Sequence, residues 1–167
     1  EQDKKRIFPF QLNPQEAYYR HYFEQSLFHK APLSAIIKKD AFDAVGGFSG
    51  KQHLGDFEMW HLLSRQFPVI LMPHGIVWCR VHGDQQMNDN LTNPFVPFKY
   101  LKLTEELLKE ESPLCVNDQE KAIAEVQRKM ARAILSAGKH HSIAKMKELK
   151  KYSQMDWGTV FCKGLMR

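Results

Sequence analysis

The sequence predicts a mixed α/β segment with few short strands, followed by a mainly α-helical C-terminal extension. Up to about residue 90, short apolar runs typical of strands alternate with helix-like segments and are separated by glycines and prolines. The stretch 88–97 is rich in turn-forming residues, and beyond it apolar residues recur at helical spacing. We therefore expect two domains, covering residues 1–90 and 91–167.

The first predicted helix begins at Asn13. Asn13 is a suitable N-cap, Pro14 fits the first helical position, and Glu16 is placed to return a hydrogen bond to the cap amide. Residues 29–38 follow as a predicted strand, because they contain a run of apolar side chains. A short helix over 40–45 then ends at a Gly-Gly pair, and the next side chain, Phe48, is expected in the core.

Three more elements are predicted before residue 90. They are a helix over 56–66, ended by a proline, and two short strands over 69–72 and 76–81 around a Pro-His-Gly turn.

The C-terminal extension is predicted to contain three helices. The first covers 98–110. The second begins at Asn117, with Glu120 as its capping partner, and the third covers 142–152 with lysines on its outer side. The apolar stripes are Ile123, Val126, Met130 and Ile134 on the second helix, and Ile143, Met146 and Leu149 on the third.

Composition excludes several classes of protein. The 167 residues include 43% hydrophobic and 26% charged residues, which is unlike disordered, collagen-like or coiled-coil chains. Three widely spaced cysteines without a C-x-x-C motif argue against a disulfide framework and favour the cytoplasm. The net charge of +5 allows anionic partners, but no nucleic-acid-binding module is recognisable. We expect no nucleic-acid partner.

Four sequence pieces occur in a fixed order between residues 31 and 90. A predicted strand ends in Lys38-Lys39, and a Val-Gly-Gly-Phe turn follows at 45–48. An acidic helix start, Gly-Asp-Phe-Glu-Met-Trp, occupies 55–60, and Arg-Val-His stands at 80–82. This succession resembles the second half of bacterial family 2 glycosyltransferases of the GT-A fold, over about sixty residues.

The resemblance implies an inverting transfer of a sugar from a nucleotide-sugar donor to a saccharide or lipid-linked acceptor. It implies that Asp56 is the catalytic base, a role that suits a carboxylate at a helix N-terminus. Glu58 and Trp60 match acceptor-binding positions. Arg80 and His82 match positions beside the donor phosphates, and His82 is also a candidate ligand of Mn²⁺ or Mg²⁺.

Parts of the family pattern are missing. The sequence contains no D-x-D motif, no β-α-β run precedes Ala31, and Gly55 stands where the family often has glutamate. We expect the donor-binding half to lie upstream, and we expect these residues alone to lack appreciable transferase activity and tightly bound cofactors.

Other interpretations remain open. His74, Cys79 and His82 form only a weak zinc pattern, and no hydrolase motif is found. A non-catalytic interaction or membrane-docking module is the main alternative. Lysines between 139 and 151, followed by Trp157 and Phe161, are typical of a solvated helix face or of peripheral contact with anionic lipid, here at the inner membrane face.

Overall fold

The computed structural model describes residues 7–29, 31–73, 93 and 95–165. The described chain is mainly helical and contains a two-stranded antiparallel sheet. It forms two compact units, Glu1–His82 with Pro113–Cys115, and Gly83–Ser112 with Val116–Arg167. The mainly helical character predicted for the C-terminal part is therefore confirmed.

The first unit is closed by pairing of its two strands. Strand β1 runs antiparallel to β2, with Phe10 opposite Leu71 and Leu12 opposite Val69. In the part of the chain between β1 and β2, helix α1 packs against helix α3. The elements in order are β1 (Phe10–Leu12), α1 (Pro14–Tyr19), a π-helical turn (Arg20–Glu24), a 3-10 turn (Pro32–Ser34), α2 (Lys39–Ala44), α3 (Gly55–Gln66) and β2 (Val69–Leu71).

The start of α1 has the capping box that the sequence predicts. The Asn13 side chain accepts a hydrogen bond from the Glu16 amide at 2.9 Å, and the Glu16 carboxylate accepts one from the Asn13 amide at 2.8 Å. Pro14 occupies the first turn. Two otherwise unsatisfied amides are thus paired, so this local prediction is confirmed.

The prediction of a strand over 29–38 is wrong. The backbone closes a tight turn there, because both the amide and the hydroxyl of Ser34 donate to the carbonyl of Ala31, at 2.9 and 2.7 Å. Leu33 and Ile36 are exposed instead of packed on a sheet face. An apolar run forms a strand only where a partner strand pairs with it, and β2 is paired with β1.

The other elements of the first unit agree in part. Helices α2 and α3 and strand β2 lie within a residue or two of their predicted bounds, whereas β1 is not predicted. Gly46 and Gly47 end α2 with φ of +81° and +67°, as glycine permits. Phe48 is 49% exposed and packs edge-on against Phe42, so its predicted core position is wrong. The predicted strand over 76–81 lies outside the described residues.

The second unit is built around one long helix, α5, which packs against each of its three neighbours. Its buried stripe repeats at helical spacing and includes Val126, Met130 and Ile134 as predicted, whereas Ile123 is half-buried. The helices of this unit are α4 (Phe95–Glu110), α5 (Val116–His140), α6 (Ile143–Ser153) and α7 (Trp157–Leu165).

Two predictions for the helices of this unit are wrong, namely the N-cap at Asn117 and the inward position of Ile143. Helix α5 begins at Val116, so Asn117 lies inside its first turn and is not its cap. The side chain of Gln119 fastens this turn to the end of α4 by donating to the carbonyl of Leu108 at 2.6 Å. Ile143 is 63% exposed because α6 buries its opposite side through Leu149. Ser142 caps α6 by accepting from the Lys145 amide.

A buried carboxylate joins α4 to α5. Glu105 accepts hydrogen bonds from Lys109 and Gln127, both at 2.7 Å, and from Lys102 at 3.2 Å. Burial alone would raise the pKa of Glu105, but these hydrogen bonds outweigh it and hold the pKa below its ordinary value. Glu105 therefore stays ionised inside the unit.

Helix α7 is not predicted from the sequence. Asp156 precedes it and accepts hydrogen bonds from the amide and the hydroxyl of Thr159, an ordinary N-terminal capping arrangement. On its inner side Val160 is buried, and a Cβ added at Gly164 would lie 2.6 Å from the Leu135 side chain. Among the described residues, no helix combines the length and apolar character needed to cross a bilayer.

Candidate functional site

The carboxylate of Asp56 lies in the first turn of α3 and is half-buried. Its Oδ1 accepts a hydrogen bond from the Phe57 amide at 2.8 Å. Within the described ranges, no basic side chain forms an ion pair with it.

Trp60 lies one helical turn after Asp56. Residues four positions apart share a helix side, and both side chains are half-buried, whereas Phe57, Met59 and His61 are buried. The structure therefore brings a carboxylate and an indole ring to the same side of α3, at the boundary between core and solvent.

Glu58 fastens the loop that leads into α3. Its two carboxylate oxygens accept from the Ser49 hydroxyl at 2.5 Å and from the Lys51 ammonium at 2.7 Å. Only 12% of the Glu58 side chain is exposed. This carboxylate orders residues 49–51 beside the start of the helix.

The predicted donor-phosphate residues, Arg80 and His82, lie outside the described residues, as do His74 and Cys79. Among the residues that the structure describes, no group of three His, Cys, Asp or Glu side chains is arranged to hold a metal ion. Of the five predicted site residues, three are described, all in the first turn and a half of α3.

An aromatic cluster supports α3 from behind and is not predicted from the sequence. Nδ1 of His61 lies 2.9 Å from the Phe57 carbonyl, and Nε2 lies 2.9 Å from the Tyr22 hydroxyl. Because a carbonyl only accepts, Nδ1 carries the proton and Nε2 accepts from Tyr22. The rings of Tyr18, Phe28 and Phe57 pack around His61.

The ionisable groups of this cluster are held neutral. Burial lowers the pKa of His61 to about 3 and raises that of Tyr18 to about 12. Burial likewise raises the pKa of Tyr22 well above its ordinary value. At neutral pH the cluster therefore supplies packing and fixed hydrogen bonds to α3. The signal for it is the four-residue spacing of Phe57 and His61, together with that of Tyr18 and Tyr22.

A shallow depression of about 320 Å³ lies at α1, and none of Asp56, Glu58 and Trp60 lines it. Arg20, which is 5% exposed, donates to the Gln25 side chain at 3.0 Å and stacks on the Phe10 ring. The lining consists of Leu12, Gln15, Glu16, Tyr19, Arg20 and Glu24. Of its charged side chains, Glu16 belongs to the capping box of α1, and Arg20 binds Gln25 at the end of the π-helical turn.

Comparison of the chain with family models, curated proteins and solved structures found no match. The features that bear on function are therefore the order of the sequence motifs and the geometry at the start of α3.

Proposed function

We propose that this chain is the acceptor-side part of an inverting family 2 glycosyltransferase with a GT-A-like fold. It would act with a donor-binding half to move a sugar from a nucleotide-sugar donor to a saccharide or lipid-linked acceptor. The observation that carries the proposal is the half-buried, ionisable Asp56 in the first turn of α3, within the ordered motif succession.

In the proposed reaction Asp56 is the general base. The hydroxyl oxygen of the acceptor attacks the anomeric carbon as its proton passes to the Asp56 carboxylate, and the bond from that carbon to the donor phosphate breaks. The nucleoside diphosphate leaves with the bonding electrons, and the configuration at carbon inverts.

The neighbouring residues support this role. Trp60 offers an aromatic surface against which an acceptor sugar ring can stack, one turn from the base. Glu58, assigned to acceptor binding by the resemblance, orders the loop beside Asp56 through Ser49 and Lys51. Arg80 and His82 are proposed to face the donor phosphates.

The resemblance also implies Mn²⁺ or Mg²⁺ bound with the donor. The described residues offer no three-ligand group for it.

A pair of matched variants tests the base. Asp56 and Asp40 are each the second residue of a helix in the same unit. In the complete translation product of the gene, Asp56→Asn should lower turnover by about 10²–10⁴-fold, the range for loss of a general base. Asp40→Asn should leave turnover unchanged. Nucleoside diphosphate release is measured with a panel of nucleotide sugars and saccharide acceptors.

The donor affinity separates the base from a structural role. Asp56→Asn should bind the nucleotide sugar as the unmodified protein does, measured by calorimetry. An Asp56→Asn protein with normal turnover contradicts the assignment. If the folded complete product releases no nucleotide with any donor, the alternative of a non-catalytic interaction module gains support.

A further inference from the structure

The net charge of the chain is concentrated at its C-terminal end. Residues 139–167 contain seven basic and two acidic residues, whereas 1–138 contain 17 of each. The formal charge of +5 thus resides entirely in the last 29 residues. An excess of this kind attracts a negatively charged partner through long-range electrostatics.

Three lysines of α6 lie on one side of the helix. Lys147, Lys150 and Lys151 are spaced by three and four residues, which places them together. Lys147 and Lys151 are exposed and form no ion pair with any described residue. Lys150 lies 5.7 Å from the ring of Trp157, at the start of α7.

Helix α7 carries apolar side chains on its solvent side as well as its inner side. Phe161 is 50% exposed and Leu165 is 72% exposed, four residues apart. The inner side is fixed on α5 by Val160 and by the close approach at Gly164. Helix α7 therefore cannot turn its outer side inward without losing this packing.

The lysines and the apolar stripe adjoin each other. The ring of Trp157 lies 5.7 Å from Nζ of Lys150 and 5.9 Å from the ring of Phe161. Aromatic and aliphatic anchors next to lysines are the composition of helices that lie in the interface of an anionic membrane. We name the surface formed by Lys147, Lys150, Lys151, Trp157, Phe161 and Leu165 the α6–α7 face.

We propose that the α6–α7 face docks on the surface of a membrane rich in anionic phospholipid. Phe161 and Leu165 enter the boundary between headgroups and acyl chains, and the lysines contact lipid phosphates. The concentration of the whole net charge at this end selects a lipid surface over a neutral apolar partner. The proposal stands apart from the transferase reaction, since binding requires no donor or acceptor.

Vesicle binding by the 167-residue chain tests the proposal. Sedimentation is compared for vesicles of phosphatidylcholine alone and for vesicles containing phosphatidylcholine and phosphatidylglycerol in equal parts. We expect binding only to the anionic vesicles, with an affinity that falls as salt is added. Equal binding to both, or no binding to either, would overturn the proposal.

Two pairs of double variants locate the surface. Lys147→Gln/Lys151→Gln should weaken binding by about 25-fold, since each basic residue near an anionic surface contributes about fivefold. Lys121→Gln/Lys129→Gln on α5 removes the same charge from side chains of similar exposure and should change binding much less. Equal losses would mean that net charge alone attracts the chain and would reject the α6–α7 face.

The apolar anchors are tested in the same way. Phe161→Gln/Leu165→Gln should weaken binding at least tenfold, because burial of apolar side chains supplies the insertion energy. The exposed apolar pair Leu33→Gln/Ile36→Gln in the first unit is the control. If the Phe161/Leu165 variant instead converts a dimer to a monomer and keeps vesicle binding, the face joins two copies of the chain and the proposal fails.

A fluorescent label gives an independent readout. Cys162 follows Phe161 on the exposed side of α7, and Cys115 is exposed elsewhere. With the other two cysteines changed to serine, an environment-sensitive dye on Cys162 should shift to the blue with anionic vesicles, and the same dye on Cys115 should not. A shift at Cys115 alone would place the contact elsewhere.

Discussion

The Tyr22 hydroxyl lies 2.9 Å from Nε2 of His61, at the centre of the aromatic cluster behind α3. His61 has no exposed surface, and its other ring nitrogen is committed to the Phe57 carbonyl. The imidazole is therefore fully hydrogen-bonded as a neutral ring. Adding a proton to Nε2 would remove an acceptor from Tyr22 and bury a charge.

The first prediction concerns the pH dependence of stability. The pKa of His61 is about 3 in the folded chain and 6.5 as an ordinary value. Between these values the unfolded chain binds a proton that the folded chain does not bind. The free energy of unfolding should therefore fall as pH falls through this window, by up to about 1.4 kcal/mol per pH unit. Above pH 6.5 the contribution of neutral His61 to the free energy of unfolding is fully present.

Urea unfolding of the first unit from pH 4 to 7 measures this effect. His61→Gln should flatten the dependence, although the variant is less stable throughout. His140→Gln is the control, because His140 is exposed at the end of α5. An unchanged pH slope in His61→Gln would show that His61 is not the group that titrates.

The second prediction concerns the hydroxyl of Tyr22. Tyr22→Phe leaves the buried Nε2 of His61 without its donor, and should lower the free energy of unfolding by about 1–3 kcal/mol. Tyr19→Phe should change it by less than about 0.5 kcal/mol, since Tyr19 is 44% exposed. Thermal unfolding followed by circular dichroism compares the two variants. Equal effects would contradict the hydrogen bond.

The third prediction compares two asparagines near helix starts. Asn13 caps α1, so Asn13→Ala should lower stability by about 0.5–2 kcal/mol. Asn117 lies inside the first turn of α5 and is exposed, so Asn117→Ala should be neutral or slightly stabilising. Chemical unfolding measures both. A destabilising Asn117→Ala would restore Asn117 as the cap that the sequence predicts.

The fourth prediction concerns Glu105 between α4 and α5. Glu105→Gln removes the buried negative charge and replaces one of the two acceptor oxygens by an NH2 donor, and it should lower stability at pH 7 by about 1–3 kcal/mol. Glu106→Gln should have a small effect, because the Glu106 side chain is 53% exposed.

The pH dependence gives a second test of Glu105. Its pKa is depressed in the folded chain, so its contribution is present above the ordinary value of 4.5 and is lost as pH falls through the folded pKa. The difference between unmodified protein and Glu105→Gln should therefore shrink on acidification. A difference that grows on acidification would contradict the depressed pKa.

Predictions from local sequence hold where the stabilising contacts are local. The cap at Asn13, the glycines after α2 and the stripe on α5 depend on residues within one or two helical turns. Strand β1 is different, because three residues become a strand only by pairing with β2 at the other end of the unit. Among the described residues, the apolar run at 29–38 has no such partner, and it forms a local turn through Ser34 instead.

The candidate site is predictable to a similar extent. Asp56, Glu58 and Trp60 are identified by motif order, and their placement on α3 follows from helical periodicity. The ion pair of Glu58 with Lys51 depends on the path of a loop, which the sequence does not specify. His61 is missed because periodicity counts a histidine as polar, whereas hydrogen bonds to Tyr22 and Phe57 allow this ring to be buried neutral.

Phe57 joins the candidate base to the aromatic cluster through its own peptide groups, donating to Asp56 and accepting from His61. Substitutions at position 61 should therefore disturb the angle at which the Asp56 carboxylate is presented. If the proposed transferase activity is correct, a genetic screen for its loss would recover such variants together with those of the site itself. Their distinguishing mark would be temperature sensitivity, with rescue by second-site changes that refill the cluster.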